Sequence, residues 1–161
     1  MTDPSETDRR AQYLARVTAE LESARDLEDV QRIVSTGARR LVAADGAAFV
    51  LRDGDKCAYL DEDAIAPLWK GRRFPMDACV SGWVMHEQRP AIVADVFADD
   101  RIPQEIYRPT FVRSAAVVPI RPGAPVGAIA VYWGRLHVAD THEIDSLQSL
   151  AECAAAAMPA A

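Results

Sequence analysis

The sequence predicts an α+β domain: a central antiparallel sheet with the N- and C-terminal helices on one face and a cover of loop and short helix over a pocket on the other. Three observations point there. Apolar residues keep helical spacing at both ends of the chain, at Leu14, Val17 and Leu21 and again at Ile144, Leu147, Leu150, Ala151, Ala154 and Met158. Two apolar runs, Arg113 to Ile120 and Val126 to Trp133, flank Arg-Pro-Gly-Ala-Pro, whose residues dictate a turn, so they form a central hairpin. Between these regions, Asp95 to Pro109 carries Pro103 and Pro109 and supports no more than single helical turns.

Taken in order, residues 1–10 are polar and form a flexible tail, and 11–161 form one domain. The first helix begins at Tyr13, with Arg16, Glu20 and Arg25 on the face opposite its apolar stripe. Asp26 caps a second helix whose apolar positions run from Leu27 to Val42 and which ends by Gly46. Ala47 to Arg52 and Lys56 to Leu60 are strands around the tight turn Asp53-Gly54-Asp55. Ser81 is placed to cap a short helix that Pro90 stops before a strand at Ala91 to Ala94. Asp140 with Glu143 opens the last helix as a capping box.

Composition narrows the function. Lys plus Arg number 18 against 24 Asp plus Glu, a net charge of −6, so no basic stripe suits nucleic acid. No apolar stretch reaches the roughly 20 residues that cross a bilayer, and no hydrophobic signal core is visible, which predicts a cytoplasmic protein without membrane contact. Cys57, Cys79 and Cys153 lack paired spacing, so separate, reduced thiols are expected, with no disulfide framework and no zinc site. His86 has no second His at i+4, and His137 and His142 lie in or near a polar loop; no metal is expected, nor haem. Adjacent acids such as Asp61, Glu62 and Asp63 read as solvated surface.

Several blocks in order, ADGAAFVL, GRRFP with VSGWV, RPAIVADV, VRSAAVVPI and VGAIAVYW, resemble a GAF domain, most of all the GAF modules that accompany bacterial sensor histidine kinases. The resemblance implies a non-enzymatic sensor module. It would bind an unknown small molecule between sheet and cover, form a homodimer through its terminal helices, and signal to a separate histidine kinase or other effector. Candidate pocket residues on that basis are Trp83, Asp95, Ile102, Tyr107, Phe111, Arg113 and Ser114. Aromatic walls suit a flat ligand, and an arginine or carboxylate would orient a polar one. A second outcome is that Trp83, Tyr107 and Phe111 plug the pocket, with Arg113 paired to Asp95, leaving an interaction scaffold.

Other family modes fit less well. Cyclic-nucleotide-binding members use an Asn-Lys pair, and this chain contains no Asn. Phytochrome-like bilin attachment commonly uses Cys followed by His, a pair absent here. Some GAF proteins reduce free methionine sulfoxide with cysteines in the cover. Of the three thiols only Cys79, just ahead of a helix N-terminus that favours thiolate, is a redox candidate.

Overall fold

Strict period-two alternation in the three central strands sets the architecture. In the computed structural model, which describes residues 5–158 apart from 122, β1 (Gly46–Asp53), β5 (Ser114–Ile120) and β6 (Gly127–Trp133) are buried on both faces over most of their length. Ala47, Phe49, Ala116, Val118, Ile120, Ile129, Val131 and Trp133 enter one apolar cluster. Their neighbours Ala48, Val50, Ala115, Val117, Ala128, Ala130 and Tyr132 enter a second on the opposite face. The full order is β3-β2-β1-β6-β5-β4, antiparallel at every pairing, with β2 (Lys56–Ala64), β3 (Arg73–Pro75) and β4 (Ala91–Val93) completing the sheet.

The first face is covered by α1 (Glu6–Glu22), α2 (Leu27–Leu41) and α5 (Thr141–Ala157). Val30, Ile33, Val34, Ala38 and Leu41 of α2 supply the stripe that lies on the strands, as its spacing predicts. Asp26 accepts from the Asp29 amide and caps α2, and Asp140 with Glu143 forms a reciprocal box at the start of α5. Glu143 is buried and also bonds His137 Nε2 at 2.9 Å, which ties the loop after β6 to the helix.

The strand expected to end at Leu60 runs on to Ala64, and three helix boundaries differ from the sequence reading, each for a local reason. The first helix starts at Glu6 rather than Tyr13, because Ser5 and Asp8 form a second capping box; residues 1–4 of the expected tail lie outside the described residues. The second helix ends at Leu41, ahead of Gly46, where Ala43 takes a positive φ of 51°. The short α3 (Val80–Glu87) is entered from Cys79 and has no side-chain cap. Ser81 is inside that helix, buried, with its hydroxyl 3.2 Å from the Tyr59 hydroxyl.

The second face carries α3, a turn at 76–78, another at 96–98 and the single-turn α4 (Gln104–Tyr107). Gly82 lets α3 pass close over the 76–78 turn: a Cβ there would collide with the Met76 carbonyl. Irregular cover over 95–109 is as expected, and β3 is an addition that no pattern in Arg73-Phe74-Pro75 announces.

Candidate functional site

Small residues on the second face of the central strands, Ala48, Ala115, Ala128 and Ala130, leave depth beneath the cover, and large aromatics fill it. Trp69 sits at the centre, 4.6 Å from the Tyr107 ring, 5.3 Å from Tyr132 and 6.0 Å from Tyr59, which in turn meets Phe74 edge-on at 5.4 Å. All five rings are buried. Burial pushes the Tyr59, Tyr107 and Tyr132 hydroxyls above the usual tyrosine range.

Glu62 holds this plug in place. Its carboxylate accepts from the backbone amides of Leu68, Trp69 and Lys70 at 2.8–2.9 Å, folding the 65–70 loop so that Trp69 turns inward. Its neighbours are engaged too, Asp61 with Lys70 at 3.1 Å and Asp63 with Arg39 at 2.7 Å. The acidic run is therefore a structural clamp and not the solvated surface that adjacent acids suggest.

Open space lies at the rim of the cover, in a crevice of about 540 Å³. The β1–β2 hairpin gives it Arg52 and Asp55, the residue ahead of α3 is Cys79, α3 itself gives Trp83 and His86, and the cover gives Asp100 and Arg101. Trp83 is the flat wall, with the guanidinium of Arg101 4.6 Å and that of Arg89 5.0 Å from its ring centre. Arg101 is aimed by Asp99, which it meets at 2.7 Å and whose carboxyl is held below the usual range by those hydrogen bonds.

The crevice also reaches sulfur. Cys79 and Met76 line it, and Cys57 is directly behind, its Sγ 3.2 Å from Cys79 Sγ and 3.3 Å from Met76 Sδ. The expectation of three separate thiols fails for this pair. Cys57 stands opposite Phe74 in the β2–β3 ladder, Met76 follows β3 with its amide bonded to Asp55 O, and the next turn returns the chain at Cys79. The two cysteines, 22 positions apart in sequence, thus meet. The hydrogen bond between the two thiols and the backbone amides of Gly82 and Ser81 lower the Cys79 pKa, while the same pairing, with burial, raises that of Cys57.

A GAF-domain family model matches residues 24–158. The chain belongs to the GAF-domain family. In fold, this GAF domain is similar to the free methionine-R-sulfoxide reductase of Neisseria meningitidis, solved with its substrate, at TM-score 0.82 and 17% identity over 98% of this chain and 92% of that one. A putative GAF sensor protein from Burkholderia vietnamiensis superposes at TM-score 0.82 with 18% identity over 96% of both chains. The chromophore-binding domain of Stigmatella aurantiaca phytochrome P1 does so at 0.76 with 14% identity, over 99% of this chain and 63% of that one. No curated protein matches the chain in sequence.

Of the seven pocket residues expected from the family resemblance, Trp83, Ile102, Tyr107 and Phe111 share the second core, while Asp95, Arg113 and Ser114 lie outside it. Only Trp83 lines the crevice. Ile102 and Tyr107 are buried in the second core, where Tyr107 joins the plug and Phe111 packs at its margin. Asp95 caps the 96–98 turn through the Phe97 amide at 3.0 Å and makes no ion pair with Arg113, whose guanidinium lies 5.5 Å from the Phe97 ring centre. Ser114 donates to Ala94 O at 2.6 Å and accepts from the His137 amide at 2.8 Å, joining β5 to the loop before α5. The residues that sequence reading missed, Arg52 near the end of β1 and Asp55, Met76 and Arg101 in turns, come from segments whose meeting no local pattern encodes.

Proposed function

We propose that this GAF domain is a non-enzymatic regulatory module whose ligand seat is the crevice at the cover's rim and not the hollow beneath it. The observation that carries this reading is the crevice itself. Its volume falls in the range of about 300–1,000 Å³ usual for small-molecule sites, and it joins a flat aromatic wall to side chains of both charges. Arg52 and Arg101 face Asp55, Asp77 and Asp100 across the same space, so the matching ligand is a small polar molecule bearing both charges, with a planar part for Trp83. Binding would bias how the cover and α3 sit on the sheet, and that bias is what a separate effector, a histidine kinase among them, would read.

The aromatic plug supports a second reading, an interaction scaffold with no small-molecule ligand, since Tyr59, Trp69, Tyr107 and Tyr132 occupy the volume where family ligands are expected. Intrinsic fluorescence separates the two. Among Trp69, Trp83 and Trp133 only Trp83 is partly exposed, so a ligand seated in the crevice changes its emission. Titration with a panel of amino acids and their aromatic derivatives should give a saturable change, abolished in W83F while thermal stability is kept. A panel without response, or a response that W83F retains, favours the scaffold.

A further inference from the structure

We propose that Cys57, Cys79 and Met76 form a seat for one soft monovalent metal ion, copper(I) in the first instance, entered from the crevice. The inference rests on the crevice as a way in and does not need an organic ligand to fill it. Two thiols and a thioether converge here, with Cys57 Sγ at 3.2 Å from Cys79 Sγ and 3.3 Å from Met76 Sδ, and the Tyr59 hydroxyl is the oxygen side chain that hydrogen-bonds Cys79. Sulfur donors of this kind select copper(I), whereas harder divalent ions need carboxylate or imidazole. Among the described residues no three His, Cys, Asp or Glu side chains come together to hold a metal, so a zinc-type set is not built around the thiols.

The surroundings suit the product. Binding releases two thiol protons to solvent and leaves two thiolates, one thioether and one monovalent cation, a centre of net charge −1. Cys79 is the residue that precedes α3, so the amides of that helix's first turn face the thiolate, and Arg52 stands close enough to act on Cys57 electrostatically. An ion about 2.3 Å from three sulfurs in a plane wants sulfur–sulfur edges of about 4 Å, so the two known edges must open by about 0.7–0.8 Å. Met76 can open its own edge, since it is unbranched, only partly buried and lies on the crevice wall, while the edge between the thiols opens only by a shift of Cys57 or Cys79 itself. Entry is equally direct, because Cys79 and Met76 both face the crevice while Cys57 is sealed behind them.

The test uses the full chain, reduced and anaerobic, with copper(I) supplied as its acetonitrile complex and bicinchoninate as competitor. Native mass spectrometry should find one copper per chain surviving the competitor, with a sulfur-to-copper charge-transfer band in the ultraviolet. Both should be lost in C79S and kept in C153S. M76L, which keeps both thiols and the side-chain volume, guards against a folding artefact and should surrender its copper at a lower competitor concentration. No copper retained by the folded wild type, copper retained by C79S, M76L holding copper as firmly as wild type, or zinc(II) held against a chelator in place of copper would each overturn the site. An amino-acid response at Trp83 without copper binding sinks this inference alone, and copper binding without that response sinks only the organic-ligand reading.

Discussion

Cys79 faces the crevice while Cys57 is sealed behind it, and the hydrogen bond between them lowers the pKa of Cys79 while it raises that of Cys57. Iodoacetamide should therefore modify Cys79 first, with a half-maximal pH below that of an ordinary free thiol, because the folded protein keeps its thiolate down to lower pH. Peptide mapping against pH checks this, and modification of Cys57 ahead of Cys79 would contradict it. Ser81 gives a second prediction at this scale. Its hydroxyl meets the Tyr59 hydroxyl inside the core, so S81A and Y59F should each cost about 1 kcal/mol in urea unfolding, and the double variant should cost little more than either alone. A serine ahead of an apolar helical run looks the same in sequence whether it caps the helix or enters it. Here Cys79 takes the cap position and Ser81 turns inward.

Among the elements, the loop over 65–70 depends on one side chain. E62A removes the acceptor for three backbone amides, and a loss of about 2–3 kcal/mol is expected, together with a red shift of emission as Trp69 becomes wet. An unchanged spectrum would show that ring packing alone holds the plug. The elements themselves were legible where physics is local: the Asp26 cap, the Asp140–Glu143 box, the proline-rich cover and the alternating strands β5 and β6 each follow from their own residues. The site was not. Arg52, the stretch from Met76 to Cys79, and Arg101 come from three separate segments, and their meeting depends on the β2–β3 ladder and on the close pass of α3 over Met76 at Gly82. The aromatics of the plug were half visible, Tyr107 by family likeness and Trp69 not at all, because its inward turn depends on Glu62.

At the scale of the whole molecule, the homodimer expected from the sequence meets a constraint. Among the described residues the exposed large apolar side chains are Ile65, Ile92, Phe97, Leu136 and Val138, none of them on α1, α2 or α5. Association through those helices would combine partly buried apolar side chains such as Leu14 and Ile144 with a large share of polar and charged contacts, which salt screens over roughly 8–10 Å at moderate ionic strength. Sedimentation at low and high salt should show any dimer dissociating as salt rises; a salt-indifferent dimer would place the interface elsewhere. The sheet adds something different. Its outermost strands, β3 and β4, are three residues each, against seven to nine for the four inside them. Neither margin is long enough to template another chain. Crowded copies of this domain should therefore stay separate where a longer bare margin would let them zip into fibres.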